Sequence, residues 1–99
     1  MGLNWFNTSE EEAFAQTLAD MVIAGFPGNE RKNAKKSLLA RAKLIDNIFS
    51  KASEYQKEKK PNFYKKAKLG NVFRWKLLEN DFDAEFVDDI THQILVSMK

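Results

Sequence analysis

Apolar residues recur along this chain at helical spacing, with polar positions between them, and the longest such stretch runs from residue 30 to residue 60. On a helical wheel Ala34, Leu38, Ile45, Ile48, Phe49, Ala52 and Tyr55 fall on one arc, and Lys32, Lys36, Lys43 and Asn47 fall opposite. The pattern predicts one amphipathic helix of about 31 residues, roughly 45 Å long, that outreaches its neighbours. If it breaks, Ser53 is the expected place, because Ser53 and Gln56 have the spacing of a capping box.

Three shorter helices surround it in the sequence. The first opens at a capping box, Thr8 with Glu11 or Ser9 with Glu12, and buries Phe14, Leu18, Met21 and Val22. It ends where Gly25, Phe26, Pro27 and Gly28 interrupt the pattern. Residues 1 to 7 read as a lead-in whose Trp5 and Phe6 fold back on the core. Pro61 stops the long helix at Lys60 and suits the first turn of the next one, whose inward arc reads as Phe63, Ala67, Gly70, Phe73, Leu77 and Leu78. Gly70 inside that helix implies a close crossing by another helix. Asp83 then caps the last helix, with Phe82 and Val87 placed for a hydrophobic staple and Phe86, Val87, Ile90, Ile94, Leu95 and Met98 on the buried stripe.

With helices at about residues 9–24, 30–59, 62–79 and 84–98 and no strand pattern, the expected fold is all-α: a single-domain four-helix bundle with one long central helix and short connections. Ninety-nine residues, 43% of them hydrophobic, are enough for one core without covalent staples. The absence of cysteine excludes disulfides, thiolate nucleophiles and cysteine-held metals. No membrane span and no secretory start are expected, because the longest apolar run is residues 21 to 26 and three glutamates follow Trp5 and Phe6. The cytoplasm is the expected address.

Charge changes the picture. The net charge is only +2, yet residues 1 to 28 carry four acids and no base, residues 29 to 76 carry fifteen bases against four acids, and residues 77 to 99 carry six acids against Lys99. Either the acidic first and last helices lie along the basic middle and neutralise it, or part of the middle stays free to meet phosphates or an acidic surface.

Candidate chemistry concentrates where bases alternate with rings: Lys57, Lys59, Lys60, Tyr64, Lys65, Lys66, Lys68, Asn71 and Trp75, with Tyr64, Lys68, Asn71 and Trp75 at steps of four, three and four on one helical stripe. Single-stranded nucleic acid is held by such mixtures, its bases stacking on rings while lysines follow the backbone. The competing reading is that Tyr64 and Trp75 widen the core against Trp5 and Phe6. His92, beside Glu85, Asp88 and Asp89, has permissive spacing for a metal or proton-transfer site, but such helix faces are ordinarily solvated. Arg41 and Arg74 fall inside apolar arcs, where each can carry its head to the rim, pair with an acid, or receive an anionic ligand.

No phosphate-cradling loop, nucleophile elbow or HExxH pattern occurs, so no enzyme activity, cofactor or metal is expected. The sequence points first to a helical protein-interaction module, with a protein partner or a second copy docking on an apolar or aromatic face. The alternative is a nucleic-acid-binding domain using residues 57–76.

Overall fold

The computed structural model describes residues 5–99, and among these the chain is all-helical, with four α-helices, one 3-10 helix and no strand. The helices are α1 (Ser9–Gly25), the 3-10 helix (Gly28–Ser37), α2 (Ala42–Lys59), α3 (Phe63–Glu79) and α4 (Ala84–Ser97). The radius of gyration, 13.4 Å, matches the roughly 13 Å of a compact chain this long. Packing follows a ring: α1 lies against α2 and α3, and α4 lies against α3 and α2. Ala15, Leu18, Val22, Phe26, Ile48, Leu69, Phe73, Leu77, Phe86 and Ile94 fill the centre with no exposed surface beyond 1%.

The single long helix is not formed. Its first third is the 3-10 helix, kinked at Asn33 (φ −126°, ψ 35°), and residues 38–41 make a turn before α2 begins. Residues 28–37 contain one buried apolar side chain, Ala34, and a helix without an apolar face has little to hold it in place. Two arginines give this segment another use. Arg31 donates from Nε to the Phe26 carbonyl (3.0 Å) and from Nη2 to that of Ile23 (3.1 Å), while Arg41 donates from Nε to the Gly25 carbonyl (2.7 Å). These are acceptors that the end of α1 leaves without helical partners, and the cations complement the negative pole of its dipole. A continuous helix would hold the two arginine backbones about 15 Å apart along its axis. The kink and turn bring both heads to one helix end.

Beyond the turn, α2 runs unbroken through Ser53, so no capping box forms there. It closes at Lys60, which adopts a left-handed conformation (φ 46°, ψ 54°) and donates its N–H to the Gln56 carbonyl. Asn62 rather than Pro61 opens α3, its side chain accepting the Lys65 N–H at 2.8 Å, so Pro61 sits outside the helix. At Asp83 the expected cap is present: its carboxylate accepts the Phe86 N–H at 3.0 Å, and Phe82 and Val87 are both buried. At the start of α1 the expected box is absent. Thr8 donates its hydroxyl to Glu12 (2.6 Å), and Asn7 accepts the Ser9 N–H instead.

Gly70 is the close approach foreseen for it: a β-carbon there would lie 3.2 Å from Leu95 of α4. The helix that carries it is turned differently from expectation, however. Its buried arc is Leu69, Gly70, Phe73 and Leu77, and Phe63, read as inward, is 84% exposed. Of the lead-in, residues 1–4 lie outside the described part. Phe6 sits edge-on against Tyr64 with ring centres 5.3 Å apart, but at 65% exposure it is not folded into the core.

Candidate nucleic-acid interface

The basic, aromatic segment is split between two helices: Lys57 and Lys59 lie in the last turn of α2, Lys60 caps it, and Tyr64, Lys65, Lys66, Lys68, Asn71 and Trp75 lie on α3. With Leu69, Gly70, Phe73 and Leu77 buried, helical geometry puts Tyr64, Lys68, Asn71 and Trp75 on the opposite side, and all four are exposed. The stripe is fully outward, not beside the core as its spacing alone suggested. Tyr64 is 46% and Trp75 58% exposed, and eleven residues of helix hold them roughly 16 Å apart. Tyr64 does meet Phe6, as the core-widening reading requires, but neither ring is covered.

Between α1 and α3 the stripe borders a shallow groove. Gln16 forms one side, and Lys68, Asn71, Trp75, Lys76 and Glu79 form the other. The parallel course of α1 and α3 is marked by an ion pair, Lys76 Nζ to Asp20 at 3.6 Å. Arg74 places its guanidinium 5.6 Å from the centre of the Trp75 ring while Nε pairs with Asp88 of α4 at 2.8 Å. That pairing accounts for Arg74, and Arg41 is accounted for by Gly25 and by Glu30 (2.9 Å).

The acidic helices neutralise part of the basic middle. Lys35 pairs with Glu85 and with Asp89 (3.2 Å), hydrogen bonds that raise its ammonium above the ordinary lysine range. Lys59 pairs with Glu10 at 3.2 Å. These contacts are exposed and each contributes little. Among the described residues Lys57, Lys60, Lys65, Lys66 and Lys68 have no carboxylate within salt-bridge distance. Lys66 donates instead to the Met98 carbonyl at the end of α4 (3.3 Å). Of these cations Lys68 shares the outward stripe with Tyr64 and Trp75, Lys66 turns toward α4, and Lys57, Lys59 and Lys60 cluster at the end of α2, where Lys59 is tethered to Glu10.

His92 is exposed, its neighbouring acids are engaged by Lys35 and Arg74, and among the described residues no group of three or more His, Asp or Glu is arranged to hold a metal ion.

A second surface was not foreseen. Leu38, Ile45, Phe49, Phe86 and Ile90 line an apolar groove of about 200 Å³ between α2 and α4, with Lys35, Asp89 and Gln93 at its edge. Leu39, in the turn beside it, is 93% exposed. Ile45 and Phe49 pack against the core from α2 as the wheel implied and also edge this groove, whereas Leu38, which the wheel placed on the same arc by running one helix through the turn, is exposed.

Comparison with known proteins finds no match to a family model, to a curated protein or to a solved structure.

Proposed function

We propose that this chain is a small nucleic-acid-binding helical domain, working through the outward side of α3 and the lysine-rich end of α2 before it. The observation that supports this is the coincidence of two exposed rings, Tyr64 and Trp75, with five lysines that no carboxylate of the described chain engages. Free ammonium groups release condensed counterions on meeting phosphates, and exposed rings offer stacking surfaces to bases. The protein-interaction reading drew on a long helix overhanging its neighbours together with Tyr64 and Trp75; the turn at residues 38–41 removes the first of these supports and leaves the second. We read the scaffold as a four-helix bundle that serves to hold α3 rigid and outward, with no catalytic part and with the cytoplasm as its place of work.

The test is fluorescence anisotropy with labelled single- and double-stranded oligonucleotides across a salt series. Five phosphate contacts give a slope of log affinity against log salt of about −3.5 to −4.5. Changing Lys60, Lys65 and Lys68 together to Glu lowers affinity at least tenfold, while the same change at Lys32, Lys36 and Lys43 lowers it far less. Equal losses in the two triple variants, or no binding to either probe at low salt, refute the proposal.

Docking of a protein partner or a second copy is a second reading, favoured by Leu39 standing in solvent beside the apolar groove. It requires wild-type sedimentation to rise with concentration and Leu39→Asp to abolish the rise.

A further inference from the structure

The groove beside Trp75 differs in chemistry from the lysine-rich end of α2. A pure phosphate site gathers cations and backbone N–H groups, and this groove adds to its two lysines, Lys68 and the Asp20-paired Lys76, an indole face, Val72, two side-chain amides, Gln16 and Asn71, and the Glu79 carboxylate. An indole and a valine provide a flat apolar surface. Each amide both donates and accepts, as the edge of a nucleobase does, and Asn and Gln are the side chains that read such edges in pairs of hydrogen bonds. A carboxylate repels a phosphate and accepts from an exocyclic amine or ring N–H.

We infer that this groove receives one unpaired nucleobase, stacked on Trp75 and read at its edge by Gln16, Asn71 and Glu79, so that the ligand is a single strand. This rests on the nucleic-acid reading above and narrows it. A paired base keeps its major-groove edge open, but its Watson–Crick edge is occupied by its complement and its faces are covered by its neighbours, so it cannot stack on Trp75. Lys68, two turns before Trp75 on the same stripe and without a carboxylate partner among the described residues, takes the adjoining phosphate. Tyr64 continues the line toward the lysine-rich end of α2 and offers a second stacking surface.

The experiment measures binding of four single-stranded homopolymer 12-mers and one 12-base-pair duplex to the full chain, with Trp75→Ala, Trp75→Phe and Glu79→Gln beside the wild type. Trp75 is exposed, so its replacement leaves the fold intact, which circular dichroism checks. Loss of one stacking contact lowers single-strand affinity about five- to hundredfold. Duplex affinity stays the same, Trp75→Phe retains most of the binding, and Glu79→Gln alters the ranking of the four homopolymers. In a Trp5→Phe background the remaining indole emission is quenched by the single strand. If Trp75→Ala weakens both probes equally or neither, while the Lys60, Lys65, Lys68 triple variant still loses binding, the base site falls and the nucleic-acid reading stands. If no probe binds the wild type, both fall.

Discussion

Tyr55 and Glu11 join α2 to α1 through one hydrogen bond whose loss has a calculable cost. The tyrosine hydroxyl donates to Glu11 Oε2 at 2.7 Å, its ring stacks on Phe14 with centres 4.2 Å apart, and Glu11 is only 4% exposed. The other Glu11 oxygen, Oε1, is buried and accepts no hydrogen bond within the described protein. Tyr55→Phe keeps the stacking and removes only the donor. A hydrogen bond to a charged group contributes about 1.5 to 3 kcal/mol, and here the carboxylate left behind cannot reach water easily. For a domain of this size about 4 to 8 °C of melting temperature accompanies each kcal/mol, so the variant melts on the order of 10 °C lower. Glu11→Met is milder, because the freed hydroxyl of half-buried Tyr55 finds solvent, and in the double variant no unpaired carboxylate remains.

The same pair has a pH signature. Burial, then the hydrogen bond to Glu11, then the charges of Glu11 and Glu10 raise the Tyr55 hydroxyl above the ordinary tyrosine value. A raised folded-state value means that the protonated form is favoured by folding. This contribution is therefore whole below about pH 10, where an unfolded tyrosine titrates, and is lost as pH rises beyond it. Urea unfolding at pH 7 to 11 measures it, with Tyr55→Phe removing this tyrosine's contribution from the fall that lysine titration also brings. A Tyr55→Phe stability within 0.5 kcal/mol of wild type at pH 7, or an alkaline loss identical in the two proteins, refutes the reasoning.

Phe26→Ala empties the centre of a cluster in which Phe82 and Phe86 lie 5.7 and 5.4 Å away, and costs about 3 to 5 kcal/mol by urea unfolding. Arg41→Ala removes a bond to the end of α1, an ion pair to Glu30 and a guanidinium 5.7 Å from the Phe26 ring, with an expected loss of about 2 to 3 kcal/mol and faster amide exchange in residues 28–41. Asp81→Gly relieves an exposed residue at φ 70° and raises stability by about 0.5 to 1 kcal/mol, seen as a higher urea midpoint.

What could be read without coordinates is what a few neighbouring residues decide among themselves. Asp83 caps α4 because its side chain reaches an N–H three residues on, and the stripes of α1 and α4 are buried because their spacing leaves one face oily. The candidate surface was legible to the same extent: alternating bases and rings stand in plain view at residues 57–76, and the stripe of four residues follows from helical spacing. Which lysines keep a free charge was not legible. It depends on Glu10 reaching Lys59 and Asp20 reaching Lys76 from another helix, across 49 and 56 residues of chain.

Two further features needed the assembled molecule. The break at residues 38–41 comes with two arginines binding the far end of α1, carbonyls that are acceptors only once that helix has ended beside them. The setting of α3, which keeps Gly70, Phe73 and Leu77 inward as their spacing implied but buries Leu69 and exposes Phe63 and Ala67, came from where α1 and α4 lie against it, because the helix is apolar on more than one side. Hydrophobic spacing and caps are short-range and can be read along the chain, whereas the pairing of charges and the choice between two oily faces are settled only when distant segments compete for the same space.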